Sequence, residues 1–303
     1  MAGVRFDLPP IRVRVTEHQL VARLCGCGAT TRAEAPAGVS APVQYGPRIL
    51  AVIVYLCMGQ YLSKQRTAQA LSELFGTPVS AGTVSSATAR AADDLDGFRA
   101  AVAAEIAAAE VAHFDETGFR AAGKLHWLHS ASASLWTPIT CHRRRGRGTM
   151  NAAGILPIFT GVVVHDARAP YDTYRQITHA LCNAHLLREL IAVIDHHRVH
   201  ADDPESWCWA TQVIDSLLAI KTHTDFGRAL VDADVLAHHR HLIVHAARIG
   251  ANESPPDKVG AKHRALARRM GTRIEDYLRF ATDPNTPFDN NAAQREIRMV
   301  KLR

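Results

Sequence analysis

Val111-Ala112-His113-Phe114-Asp115-Glu116-Thr117-Gly118 is the stretch that decides how this chain is read, and Val162-Val163-Val164-His165-Asp166 is its echo. Each is a short apolar run ending in an aspartate, the pattern of a buried strand with an acid at its C-terminal lip. Two such strands lying parallel and adjacent put both carboxylates in one crevice, where open α/β sheets hold their ligands. Close carboxylates repel unless a cation lies between them, and hard divalent ions such as Mg²⁺ take oxygen ligands. Taken alone, the two aspartates read equally well as independent turn residues capping the next segments of the chain.

The neighbouring residues favour the crevice. Gly123 to Ser134 and Leu135 to Cys141 carry alternating or β-branched and aromatic residues and are expected as two antiparallel strands. A basic cluster comes next, with Arg143, Arg144, Arg145 and Arg147. Charge runs are usually solvated loops, but beside a carboxylate crevice this one is a candidate grip on DNA phosphates. Thr149 to Ile155 reads as a short helix, and the Asp166 strand comes after it. Three strands, a helix and a fourth strand, with acids on the first and fourth, resemble an RNase H-like nucleotidyltransferase domain. That order is far more specific than either acid alone.

The chain has 303 residues, enough for two or three domains, and its 47% hydrophobic and 21% charged content is that of a globular protein. A net charge of +6 with 17 histidines favours a polyanionic partner such as nucleic acid. The longest apolar run, Ile49 to Met58, is too short to span a bilayer, and the N-terminus lacks the apolar core of a signal peptide. Six scattered cysteines form no secreted disulfide framework, so a cytoplasmic, reducing location without membrane partners is expected.

Residues 1–47 are expected to hold a strand region and then a linker. Phe6 to Thr31 alternate in strand fashion through Ile11, Val13 and Val15, then Leu20 to Leu24. Cys25-Gly26-Cys27-Gly28 resembles half of a zinc knuckle, so Cys25 and Cys27 are candidate zinc ligands, against a plain turn with two free thiols. A closed site needs four ligands, and His18 is the only other candidate nearby.

Residues 48–109 read as a helical module. Ile49, Ile53, Leu56 and Cys57 share one face, and Ala68, Leu71 and Leu74 share another on the segment Gln65 to Phe75. Gly76 stops that helix, and Ser80 is placed to cap the next. This is the outline of a helix-turn-helix, with packing and DNA reading about equally served. Ala87 to Ala109 is expected as one long connecting helix.

Residues 110–194 hold the first part of the acid-bearing core, 195–286 an all-helical insertion and 287–303 the core's last helix. His179 to Leu190 reads as a short strand running into a helix. Cys182 and His185, three apart, are candidate zinc ligands with His179, or better a structural brace for the Asp166 strand. In the insertion, Val213, Leu217 and Ile220 form an apolar face. His263, Arg264, Arg268, Arg269 and Arg273 form a basic one, open to DNA or to solvent.

Together these motifs resemble the transposases of the insertion-sequence-66 family. Asp115-Glu116-Thr117-Gly118 with Gly123-Lys124-Leu125-His126-Trp127-Leu128-His129 is similar to the family's first acidic motif. Gly154-Ile155-Leu156-Pro157 with Val164-His165-Asp166 is similar to its second. His179 to Leu190, and Pro287-Phe288-Asp289-Asn290-Asn291-Ala292-Ala293 with Arg295-Glu296-Ile297-Arg298, resemble the later ones.

The resemblance implies an Asp-Asp-Glu enzyme that cuts and rejoins double-stranded DNA, acting as a homo-oligomer on transposon ends and target, with accessory proteins of the same element as further partners. Two Mg²⁺ ions about 4 Å apart would activate the nucleophile and stabilise the leaving oxygen. Asp115 and Asp166 are the implied Mg²⁺ ligands, and the third catalytic position, a glutamate in the family, falls on Gln294. An amide supplies an oxygen without a charge, so impaired catalysis is expected. Glu296 lies about 200° around a helix from Gln294 and Glu116 faces opposite to Asp115 along a strand, so neither is an evident substitute.

The family's tail beyond residue 303 and its upstream cysteine pair have no counterpart in this sequence, which is read as a piece of a longer transposase or a decayed copy. Two other readings compete: a catalytically inactive protein that recognises transposon ends, and an RNase H-like nuclease for RNA or branched DNA. A zinc hydrolase is the weakest, because no His-Glu-x-x-His helix is present in the sequence.

Overall fold

The computed structural model describes residues 3–8, 12–225 and 230–301. Two compact units divide between Gly97 and Phe98. The first begins with a hairpin of β1 (Ala22–Leu24) and β2 (Thr30–Arg32). The expected alternation from Phe6 to Thr31 shrinks to these strands. Residues 12–20 are irregular, and Phe6 and Val15 are exposed. Alternation fixes a strand only where a second strand supplies hydrogen bonds and a face to bury. Ile11 lies outside the described residues.

Three helices come next: α1 (Pro47–Val54), which runs into a π-turn at Tyr55–Gly59, α2 (Lys64–Phe75) and α3 (Ala81–Asp94). Ile53, Cys57, Leu71 and Val84 are at their shared core. The Ser63 and Ser80 hydroxyls cap α2 and α3 by accepting the Arg66 and Thr83 N–H groups at 3.3 and 3.0 Å. Gly76 ends α2 at φ +62, a left-handed position that suits glycine. The face of α2 differs by one residue from expectation. Leu74 is 65% exposed, and Phe75 packs with Ala68 and Leu71 instead.

The long helix expected over 87–109 is broken at Leu95, between α3 and α4 (Asp96–Ala107). Asp93 and Asp94 place negative charge at the C-terminus of α3, where the helix dipole disfavours it, while Asp96 sits at the favourable start of α4.

The second unit is built on a five-stranded mixed sheet. β3 (Val111–Ala121) turns into β4 (Lys124–Ser132) through Ala122 and Gly123, both at positive φ, the two-residue turn whose twist matches a hairpin. After β5 (Ile139–His142) come α5 (Arg147–Ala152), β6 (Val162–His165) and β7 (Thr178–Leu181). The order is β5-β4-β3-β6-β7, with β6 parallel to both β3 and β7 and the other pairs antiparallel. One sheet face packs Ala112, Phe114 and Val163 against Val102 and Ile106 of α4.

The chain then enters α6 (Asn183–His200), α7 (Trp209–Asp225), α8 (Ala233–Glu253) and α9 (Lys258–Thr272). Short turns α10 (Ile274–Tyr277) and α11 (Arg279–Thr282) precede α12 (Asn291–Lys301). Val213, Leu217 and Ile220 are fully buried in the helical core, as their spacing predicts. α6 runs without a break past position 195, the expected start of the insertion. Leu302 and Arg303, in the range expected as the last helix, lie outside the described residues.

The expected basic face of this region is half-buried and largely engaged within the protein. Arg264 donates to the Ser254 and Pro255 carbonyls, Arg269 pairs with Glu189 at 2.8 Å and with the Tyr277 hydroxyl, and Arg273 pairs with Asp172 and Asp276. Arg268 is exposed. Side chains tied to carboxylates and carbonyls of the same chain are less free to follow a phosphate backbone.

Candidate active site

Asp115 sits within β3 and not at its end, because β4 continues to hydrogen-bond β3 as far as Ala121. The end that matters is that of the parallel ladder. Its pairs run from Val111 with Val162 to His113 with Val164, and the same offset carried two residues further sets Asp115 against Asp166, the first residue past β6. The two aspartates therefore stand level, near enough for the Asp166 charge to raise the Asp115 pKa.

Their environment makes ionisation difficult. Burial, followed by the Asp166 and Glu116 carboxylates, pushes Asp115 up to about 7, although the Glu116 N–H donates to its Oδ1 at 2.9 Å. Burial and then Glu116 push Asp166 up to about 6. The Oδ1 atom of Asp166 is buried without a hydrogen-bond partner. Two level carboxyls, one with a bare oxygen, suit a hard cation, which would replace mutual repulsion by attraction.

Glu116 points to the other face, as strand alternation requires, and its side chain is only 1% exposed. The Tyr171 hydroxyl donates to Oε2 at 2.9 Å, and Arg145 Nε donates to Oε1 at 3.2 Å. Arg168 Nε lies 3.0 Å from the same oxygen, an ion pair whose N–H is not aligned as a hydrogen bond. Tyr171 in turn stacks on His165 at 4.3 Å, and His165 Nε2 meets His179 Nδ1 at 3.0 Å. Sequence reasoning gives Glu116 no role, and it assigns none to Arg168 or Tyr171.

The last helix is fixed beside the same strand. Asn290 is fully buried; its Nδ2 donates to the Phe114 carbonyl at 2.8 Å, its Oδ1 meets His113 Nδ1 at 2.8 Å, and its N–H donates to Cys182 Sγ at 3.1 Å. Gln294, one turn on, is half-buried, with Nε2 at 3.4 to 3.5 Å from the His185 ring nitrogens. Burial holds the His185 imidazole below its usual pKa, favouring the neutral ring. A cavity of about 580 Å³ opens here, lined by His113, Asp289, Gln294, Arg295 and Arg298 among others. Glu296 is exposed.

Cys182 and His185 thus face the start of α12, whereas the Cys182 backbone N–H reaches the His165 carbonyl at 2.9 Å. Among the described residues no group of three or more His, Cys, Asp and Glu side chains is placed to hold a metal ion. Neither His179 with Cys182 and His185 nor Cys25 with Cys27 and His18 forms such a group. The two N-terminal thiols are exposed at the tip of the β1–β2 hairpin, where the Ala29 backbone and then the Cys25 thiol lower the Cys27 pKa.

The arginine cluster divides. Arg143, Arg144 and Arg147 are exposed, Arg147 at 5.8 Å from the Tyr174 ring centre, but Arg145 serves Glu116 and lies 4.2 Å over the Trp127 ring. A run of like charge cannot reveal which members turn inward.

The mixed sheet thus brings two partly buried aspartates together, Asp115 within β3 and Asp166 just past the end of the parallel strand β6. The chain belongs to the IS66 family of transposases: the model of that family, described as Transposase IS66 family, matches residues 42–303. No curated protein matched the chain. Among the described residues, no helix is long and apolar enough to cross a membrane.

Proposed function

We propose that this chain is an insertion-sequence transposase with an RNase H-like core that cleaves DNA and joins the freed 3′-hydroxyl to target DNA. The observation that carries the reading is the level placement of Asp115 and Asp166 across β3 and β6 in a chain of a transposase family. Asp115 and Asp166 would hold Mg²⁺, whose chemistry when bound is to activate the attacking oxygen and stabilise the leaving one. Exposed Arg143 and Arg144 would bind phosphates by charge, and the helices α1 to α3 would contact transposon ends. Double-stranded DNA is the substrate, a homo-oligomer brings two ends together, and accessory proteins of the element complete the assembly.

Gln294 weakens this machinery. It occupies the third acidic position of the family motif but brings no charge, so the Mg²⁺ site has two carboxylates where the family has three. A second reading, an inactive protein that still recognises transposon ends, draws its support from this residue. The two separate in one assay with oligonucleotide transposon ends and Mg²⁺. The first reading expects slow cleavage that Gln294→Glu accelerates. Salt-dependent binding with no cleavage by either form supports the second, and cleavage by the unaltered protein at the rate of Gln294→Glu would refute the charge argument.

A further inference from the structure

Behind the two aspartates, on the opposite face of β3, one buried carboxylate gathers groups from two separate loops. Arg145 comes from the loop after β5, and Arg168 and Tyr171 come from the segment after β6. The second segment is the one that carries Asp166. It leaves β6 through Asp166, reverses at Ala167 with φ +62, presents Arg168, and enters the turn Ala169–Thr173 that contains Tyr171. A non-glycine residue at that φ is uncommon and is kept only where the surroundings hold it.

We propose that Glu116 is a positioning residue: by holding Arg168 and Tyr171 behind β3, it sets the turn after β6 so that Asp166 stands level with Asp115. This inference rests on the metal-dependent reading of the Asp115–Asp166 pair.

The geometry favours a clamp over a plain core ion pair. Oε1 takes both guanidinium groups and Oε2 takes the phenol, so both oxygens are used and both point toward the elements that flank Asp166. Arg145 is itself held 4.2 Å over the Trp127 ring, a contact that keeps it in place if the carboxylate is lost. The hub sets two guanidinium groups against the one Glu116 carboxylate. Glu116 lies on the opposite face of β3, yet its charge also raises the pKa of both aspartates. The turn amides and the charge-balanced double variant are therefore needed to separate that charge effect from its hold on the Asp166 turn.

The test uses the whole 303-residue chain with Mn²⁺ as the probe, its affinity read by electron paramagnetic resonance, and amide hydrogen exchange read at Tyr171 and Tyr174. Those two N–H groups bond the Arg168 and Tyr171 carbonyls at 3.0 Å and report the turn directly. The expected result is Mn²⁺ binding that Asp115→Asn abolishes and Glu116→Gln weakens about tenfold or more, the range for outer partners of metal ligands. The two amides exchange faster in Glu116→Gln. Tyr171→Phe, a milder change that serves if Glu116→Gln fails to fold, gives the same effects at roughly a few-fold.

Parent-like affinity and exchange in folded Glu116→Gln, or in Tyr171→Phe if the former does not fold, would overturn the proposal. So would full recovery of affinity in the charge-balanced double variant Glu116→Gln/Arg168→Gln, because charge alone would then explain the loss. If Mn²⁺ does not bind, or binds regardless of Asp115, the metal reading fails instead, and the exchange data decide whether Glu116 holds the turn.

Discussion

Asn290 donates its side-chain amide to the carbonyl of Phe114, the residue before Asp115, at 2.8 Å. This bond, with the contact of the same side chain to His113, fixes the start of α12 beside the candidate catalytic strand. Asn290→Ala strands a buried carbonyl and a half-buried imidazole, and is expected to lower stability by about 2–4 kcal/mol. Urea unfolding checks it, and a change under about 0.5 kcal/mol would mean that α12 is held by other contacts.

The raised pKa values give a stability profile with a definite sign. Asp115 titrates at about 7 and Asp166 at about 6 in the folded chain, against 3.8 for the ordinary group. The folded state therefore holds more protons than the unfolded one between these values, and metal-free stability falls as pH rises from about 4 to about 7. For Asp115 the full penalty above pH 7 is on the order of 4 kcal/mol. Asp115→Asn should be more stable than the parent at pH 8 and should lose that advantage toward pH 4. Thermal unfolding across this range, with chelator present, is the measurement.

Gly161 precedes β6, and a Cβ there would come within 2.4 Å of the Glu110 carbonyl oxygen. Backbone cannot move aside as a side chain can, so Gly161→Ala must shift β6 against β3. A loss of about 3 kcal/mol is expected, at the upper end for overpacking. Mn²⁺ affinity should fall as well, because the shift separates the levels of Asp115 and Asp166.

The arginines after β5 should behave as two classes. Arg143→Ala and Arg144→Ala leave stability within about 0.5 kcal/mol and each reduce the salt dependence of DNA binding by roughly one phosphate contact. Arg145→Ala removes a partner of a buried carboxylate and is expected to cost about 3 kcal/mol. Thermal melts with a salt series on duplex DNA distinguish the classes.

Local patterns make much of this fold readable. The Ser63 and Ser80 caps, the Gly76 stop, the acid-ended apolar runs and the short helix between β5 and β6 all arise from neighbours a few residues apart. Among the described residues, no strand forms before Ala22, because alternation does not say whether a partner strand exists. The Glu116 hub is invisible in the sequence for a different reason. Its ligands lie 29 and 55 residues away for Arg145 and Tyr171, and no periodicity links them. Asn290 stands in a recognisable motif, yet its role is hidden, since its partners at Phe114 and His113 are more than 170 residues distant.

The central claim, that Asp115 and Asp166 share a divalent ion, is tested most directly by the anomalous difference density of crystals soaked in Mn²⁺. The account predicts a peak bridging the two carboxyl groups, absent in Asp115→Asn and stronger in Gln294→Glu. A map with no density between these side chains at saturating Mn²⁺, or with Mn²⁺ bound only elsewhere, would contradict it.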